Sequence, residues 1–382
     1  MVRLGDVANF RRGSFPQPYG NREWYDGDGA MPFVQVADVG DDMALVPDTK
    51  QKISKIAQPK SVFVPTGTVI ITLQGSIGRV AITQYDCYVD RTLAIFESFK
   101  IPIDKTYFAY QLQKKFAIEK LIARGITIKT ITKEEFASFE IPLPPLHVQQ
   151  KIADTLGSAK SLIEKRKAQI EKLDLLVKSQ FIEMFGDPVT NPKGWEVKRL
   201  GEACNIITGN TPPRADKENY GNYIEWIKSD NINTPNTYLT KATEHISKQG
   251  FTKCRYVEKD SILMTCIAGS VSCIGNIAIA DRRISFNQQI NAIVSNSNHH
   301  LFLYWMLLLS KPYIQSTVSM SLKGILSKSK LSELEFIFPP YSTQTNFADF
   351  VERVEEYKAK SNKSLELMEL NYKSLMQKCL VR

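Results

Sequence analysis

The chain has 382 residues, too many for one ordinary domain and enough for two, each able to bury a core of its own. Hydrophobic residues make up 43% and charged residues 23%, a balance that excludes a disordered or membrane-embedded chain. Its 49 basic residues against 40 acidic ones leave a net charge of +9, shared about equally by the two halves, which permits a polyanionic partner without requiring one.

The first 145 residues read as a mixed α/β domain. MVRLGDVANF lacks the apolar core of a secretion signal, and no apolar run in the chain approaches the roughly 20 residues of a membrane span, so a cytoplasmic location is expected. VFVPTGTVIITLQGSIGRVAIT (62–83) alternates apolar runs with Gly67, Gly75 and Gly78 and predicts strand, turn, strand. Its Gly-x-x-Gly spacing is not followed by the Lys-Ser/Thr of a phosphate loop, which favours a hairpin. An amphipathic helix is expected over 104–123. The domain ends at IPLPPLHVQQ, where one proline stops a strand and the next opens a helix, a position at which a missing N–H costs nothing.

Residues 146–186 predict one long helix. Ile152, Leu156, Ala159, Ile163, Arg166, Ile170, Leu173 and Val177 fall at alternating steps of four and three, continuing through Gln180 and Met184, and form the stripe of a coiled-coil seam. About 36 residues at 1.5 Å each give ~54 Å, far more than a globular domain uses, and the stripe needs a partner. Gly186 stops the helix and Pro188 and Pro192 prevent its continuation, so a linker to about 198 is expected.

The remainder repeats what came before. RLGEACNIITG (199–209) answers RLGDVANFRRG (3–13), ILMTCIAGSVSCIGNIAI (262–279) answers VIITLQGSIGRVAI (69–82), and HLFLYWML (300–307) answers TYFAYQLQ (106–113). FIFPPYSTQTNFADFV (336–351) lies over IPLPPLHVQQKIADTL (141–156) without a gap. Residues 187–340 are therefore a linker and second domain, and 341–382 a second long helix whose stripe holds Phe347, Val351, Val354, Leu365, Met368, Tyr372 and Leu375. Arg166 and Ser361 occupy one repeat position and, with Gln180 and Lys358, break the stripes with polar groups that set register. The expected fold is α+β: two similar mixed α/β domains separated by an antiparallel pair of long coiled-coil helices, with a pseudo-twofold internal repeat.

Catalytic machinery is not expected. FPPY (338–341) has the outline of the Asn-Pro-Pro-Tyr loop of amino-methylating DNA methyltransferases, but Phe338 stands where such a site needs a carbonyl, and the first copy reads LPPL. Pro47-Asp48 is not followed by the Glu-x-Lys of a metal nuclease. Cys87, Cys204, Cys254, Cys266, Cys273 and Cys379 form no Cys-x-x-Cys pair and have no histidine at metal spacing, so no metal or disulfide framework is expected.

What differs between the copies is largely polar. The differing polar residues that would contact a polyanion such as DNA are Arg11, Arg12, Gln74, Arg79, Arg91, Arg124 and Lys129 in the first domain, and Arg214, Lys228, Asn231, Asn276, Gln288 and Lys323 in the second. Arg79 and Asn276 stand out because they follow matched glycines yet differ in chemistry.

The twofold repeat, the PLPPLHVQQKIADTL and FPPYSTQTNFADFV openings of the long helices, the connector FGDPVTNPKGWEVKRLGE and the GSIGRVAI core together resemble the specificity (S) subunits of type I DNA restriction-modification systems, over essentially the whole chain. That resemblance implies two target recognition domains, each reading one half of a split double-stranded DNA site, and a helix pair acting as a ruler for the spacer. It also implies two methyltransferase (M) subunits bound to the helices, which recruit restriction (R) subunits. AdoMet, ATP and Mg would belong to those partners, with no cofactor and no catalytic residue here. One departure is that the first copy lacks a counterpart of Gly194-Trp195, so the N-terminal edge is expected to pack differently or to lean on the C-terminal helix end near Lys378–Arg382. The rival readings are a DNA adenine methyltransferase with a degenerate FPPY motif, the specificity subunit of a type IIB-like system, and a coiled-coil interaction protein without a DNA role.

Overall fold

The computed structural model describes residues 1–18, 20–122, 131–295, 297–320 and 324–380. Two compact units are present, Met1–Arg166 with Ser364–Arg382, and Lys167–Lys363. Each long helix therefore contributes one half to each unit.

Both units contain the same two sheets. In the first unit an antiparallel sheet runs Ala8–Arg12, Leu93–Phe99, Val69–Thr72, Val80–Ile82 in spatial order, and a second runs Gln51–Ile53, Met31–Val34, Cys87–Val89, Val62–Val64 with its central pair parallel. The second unit repeats this with Cys204–Thr208, Ile290–Ser295, Ile262–Thr265, Ile277–Ile279, and with His245–Ile246, Tyr220–Ile227, Ile284–Phe286, Tyr256–Val257, again with the central pair parallel. The continuous apolar runs VIIT and ILMT are buried at every position because both faces of these strands are covered. Val69 and Ile71 enter one core and Ile70 another; Ile262 and Met264 separate from Leu263 in the same way.

The reading of 62–83 as strand, turn, strand joins two elements that the fold separates. Val69–Thr72 and Val80–Ile82 do form a hairpin, but Val62–Val64 pairs with Cys87–Val89 in the other sheet. Gly67, at a φ of +76°, supplies the left-handed turn that redirects the chain between the sheets.

A two-stranded ribbon closes each domain, Val2–Arg3 with Glu140–Ile141 and Val197–Arg199 with Glu335–Ile337. The long helices Leu146–Phe185 and Tyr341–Leu380 start directly after the diprolines and hold 40 residues each, ~60 Å at 1.5 Å per residue. The repeat pair Gln149 and Gln344 fixes their entry. Gln149 accepts from the Asp104 N–H at 3.0 Å and donates to the Pro144 carbonyl at 2.8 Å; Gln344 accepts from the His299 N–H at 2.9 Å and donates to the Pro339 carbonyl at 2.8 Å. Gln344 is buried, and Gln344→Ala, which strands the His299 N–H and the Pro339 carbonyl, is expected to cost about 1–3 kcal/mol in a denaturant titration.

Inside each unit the N-terminal half of one long helix packs with the C-terminal half of the other, which makes the pair antiparallel. Ala153 and Leu156 bury with Tyr107, Tyr110 and Leu380, flanked by Ile152, Tyr372 and Leu375, in the first unit. Leu173 and Val177 bury with Phe347, Val351 and Val354 in the second. Ile163 is buried, and Ile170, Leu365 and Met368 are half-buried. The stripe expected to continue through Gln180 and Met184 turns instead to Phe181 and Phe185, a step of four, because the helix end faces its domain rather than the other helix. Among the polar seam residues, Lys358 reaches Asp174 at 2.6 Å and Ser361 is buried.

The linker and the C-terminal helix end solve the same problem differently. Trp195 donates its indole N–H to the Phe185 carbonyl at 2.9 Å and sets its ring against Phe185, folding the linker onto the helix end. In the first unit Leu380 buries against Tyr107, Tyr110, Ala153 and Leu156, so this end leans on the 105–122 helix and the start of the first long helix.

A bidentate ion pair not foreseen in the sequence ties Arg282 to Glu225, with both N···O distances 2.6 Å. Hydrogen bonds from Arg282, and then from the Ala242 N–H, outweigh burial and hold the Glu225 carboxyl below its ordinary value. Its folded pKa being depressed, the stabilisation is complete above the unfolded carboxylate pKa and is lost as pH falls through the folded value. Glu225→Gln is therefore expected to give a shallower loss of stability on acidification, read from denaturation midpoints across the acid range. An unchanged slope would mean that the carboxylate is not linked to folding.

Candidate nucleic-acid interface

The two domains repeat the same internal hydrogen bonds, and this separates scaffold from surface. Gly13 donates to the Leu93 carbonyl and Ser14 to Val89; Gly209 donates to Ile290 and Asn210 to Phe286. Asp90 and Asn287 follow the parallel pair, and each side chain accepts the N–H two residues on, from Thr92 and Gln289. Asp38 accepts from the Gln35 N–H at 2.8 Å, and Asn231 from the Lys228 N–H at 3.0 Å. By this register Gln35 matches Lys228, Gln51 matches Glu244, Phe33 matches Trp226, and Arg91 matches Gln288.

Asn231 therefore belongs to the scaffold. It is buried, its amide nitrogen donates to the Thr240 hydroxyl and the Lys241 carbonyl, and its repeat partner Asp38 is buried in the same role. Arg12 is half-buried and donates to the Ile131 carbonyl at 2.9 Å. Arg79 faces Asp41 at 3.0 Å, and Asn276 donates to Asn233 at 2.7 Å while accepting from Lys311, so the two matched positions both reach the segment after the short helical turn, with different partners and different chemistry. Arg11 is exposed, 3.8 Å from Glu97, and Gln74 is half-exposed beside the hairpin turn. Arg124, Lys129 and Lys323 lie outside the described residues.

Three candidates of the second domain come together. Arg214 meets Glu244 at 3.0 Å and lies 5.1 Å from the ring centroids of both Tyr220 and Trp226; Lys228 also bonds Glu244 and lies 5.4 Å from Trp226. Hydrogen bonding to Lys228 holds the Glu244 carboxyl below its ordinary range. Beside them the Thr211 hydroxyl bonds the Gln288 amide oxygen, and the Asn210 carbonyl accepts the Trp226 indole N–H at 3.3 Å. In the first domain Arg91 lies 4.6 Å over Phe15 at the position that Gln288 and Thr211 fill in the second.

The diproline segment offers no acceptor for a base. Phe338 is buried, its N–H donates to the Glu196 carbonyl at 2.7 Å, and the Pro339 carbonyl is taken by Gln344. Burial pushes the thiols of Cys87, Cys204 and Cys266 up to about 12, and no cluster of three metal-ligating side chains occurs among the described residues. No helix among the described residues is long and apolar enough to cross a membrane.

The family model for the type I restriction modification DNA specificity domain matches residues 1–172 and 192–369. The chain belongs to this family. Relatives within the specificity family include the HindI subunit of Haemophilus influenzae, 31% identical over 39% of this chain and 32% of the relative, and the MjaIX subunit of Methanocaldococcus jannaschii, 33% identical over 40% of this chain and 39% of the relative. The chain thus spans about a third to two fifths of the length of these two. The EcoBI specificity subunit of Escherichia coli matches more extensively, at 22% identity over 93% of this chain and 78% of the relative. Among solved structures, the S subunit from M. genitalium covers 100% of this chain and 95% of its own at 16% identity with a TM-score of 0.57. A chain from a type I R-M system solved to explain its complex assembly and conformational transition gives 0.64 at 17% identity, covering 99% and 96%. The specificity-subunit fold is shared over both domains and both helices.

Within this specificity-family chain, sequence reading missed Glu244 and Trp226 as neighbours of the candidate cations Arg214 and Lys228, and Thr211 as the partner of Gln288. The offset between the copies drifts by a few residues from strand to strand, so these positions align only once the hydrogen-bond register is known.

Proposed function

We propose that the chain is the noncatalytic DNA-recognition subunit of a type I restriction-modification complex, reading a bipartite, asymmetric duplex site with one half assigned to each domain. What carries this reading is a single feature: one scaffold built twice, with its internal hydrogen bonds kept and its exposed polar positions changed. Two copies of a rigid frame with different polar surfaces suit two different stretches of base edges, since the frame and the phosphates are shared and only the bases differ.

The paired helices suit a spacer of fixed length and the docking of two M subunits, through which R subunits join. Repeat-equivalent apolar residues stand exposed on them, Leu162 and Tyr357 at one position and Leu175 and Leu370 at another. Two matched apolar positions fit two copies of one partner. Methylation with AdoMet and ATP-driven cleavage with Mg are assigned to those partners, in the cytoplasm, and this subunit holds no cofactor.

Methylome sequencing of cells expressing the chain with its M partner tests the reading. A split motif with methylated adenine in both halves is expected. An uninterrupted motif, or methyl transfer by the purified chain alone, would refute it.

A further inference from the structure

The Arg214 cluster is replaced as a unit in the first domain. Lys228 and Glu244, bonded to each other at the ends of neighbouring strands, become Gln35 and Gln51 together, and Trp226 beside them becomes Phe33, while Ile224 and Glu225 pair with Ile246 and His245 as Met31 and Pro32 pair with Ile53 and Lys52. A phosphate contact is needed equally by both domains, because both meet the same backbone. A charged pair that one copy exchanges as a unit for two neutral amides belongs to recognition of something that differs between the half-sites, which is base sequence.

The geometry of Arg214 narrows the class of base. Its Nη1 pairs with the Glu244 carboxylate at 3.0 Å and its guanidinium carbon lies 5.1 Å from the ring centroids of both Tyr220 and Trp226, while none of its other N–H groups meets an acceptor among the described residues. Its side chain is 57% exposed. Glu244 serves two cations, Arg214 and Lys228, so the cluster keeps one positive charge in excess. A planar fork anchored on one edge and open on the other complements two acceptors in one plane, the pattern that guanine O6 and N7 present in the major groove.

We propose that Arg214 reads a guanine in the half-site of the second domain, with Glu244 and Trp226 as positioning residues, and that the first domain reads its half-site without such a contact. This rests on the DNA-recognition reading above and names its chemistry at one position.

The test uses the full chain assembled with its methyltransferase partner and duplexes of its methylated motif in which each guanine of the second half is replaced in turn by 7-deazaguanine, which removes N7 alone. Wild type is expected to lose roughly tenfold in affinity at one guanine. Arg214→Lys, which keeps the charge but not the fork, is expected to bind all these duplexes alike. Glu244→Gln, which frees both cations, is expected to raise affinity for random duplex while weakening the guanine discrimination, a pairing that mere loss of fold does not produce. The proposal is overturned if wild type is indifferent to every 7-deazaguanine, or if Arg214→Lys keeps the wild-type discrimination. It is equally overturned if Arg214→Ala lowers affinity for target and random duplex by the same factor, as a phosphate contact would. Should wild type bind its motif no better than random duplex, the recognition reading itself falls.

Discussion

Phe181→Ala is expected to destabilise the second unit by about 3–5 kcal/mol, the cost of deleting a fully buried aromatic ring. Phe181 is 0% exposed and stacks on Phe302 at 5.8 Å between ring centroids; Phe347 meets it edge-on at 5.4 Å and Phe185 lies 4.9 Å away. Its neighbours sit on three helices anchored elsewhere, so the cavity is not expected to close by collapse. At the equivalent place in the first unit stands Met376, half-buried and flexible, and Met376→Ala is expected to cost roughly half as much. Three of the four tryptophans, Trp195, Trp226 and Trp305, lie in the second unit, so fluorescence-detected unfolding reports on it preferentially. A cost below ~1 kcal/mol for Phe181→Ala would contradict the docking of the helix end onto its domain.

The second large effect is expected at Gly209 and its counterpart Gly13. A Cβ on Gly209 falls 2.2 Å from the Asn287 carbonyl oxygen and 2.5 Å from that of Phe286; on Gly13 it falls 2.2 Å from the Val89 oxygen and 2.5 Å from that of Asp90. These are backbone atoms that cannot rotate away, so alanine at either position must part the strand from its neighbour where the chain passes between the two sheets. Overpacking usually costs 1–3 kcal/mol, and an unyielding backbone contact puts both variants at about 3 kcal/mol or more. Gly269, where an added methyl group meets nothing within 4 Å, serves as the control, and Gly269→Ala is expected to change stability by less than ~0.5 kcal/mol. Soluble yield and denaturation midpoint report the difference. Equal stability of Gly209→Ala and Gly269→Ala would show that the strands do not approach so closely.

The repeat, the long helices and their stops are legible in the sequence because each rests on local chemistry: apolar spacing along one helix, prolines at its start, Gly186 at its end. Sheet membership is not. Met31–Val34 pairs in parallel with Cys87–Val89 across more than fifty intervening residues, and nothing in either short segment encodes that choice. The heptad stripe holds in the middle of the seam and fails at Phe181 and Phe185, where the surface to be covered changes from a helix to a domain. Asn231 reads as a surface group because asparagine is polar, yet its amide substitutes for backbone in a turn, as the buried carboxylate of Asp38 does in the other copy. The Arg214 cluster depends on Glu244, thirty residues away, so its components are visible one by one in the sequence but their meeting is not.

The central claim is that each domain reads its own half of a split site while partner subunits perform the chemistry. It is tested most directly by exchanging residues 199–335 for the corresponding segment of a relative with a different target and sequencing the methylome of cells that express the hybrid with the original M partner. One half of the motif is expected to take the relative's sequence while the other half and the spacer stay as they were. New bases in both halves, or a hybrid that keeps the original motif entire, would contradict it.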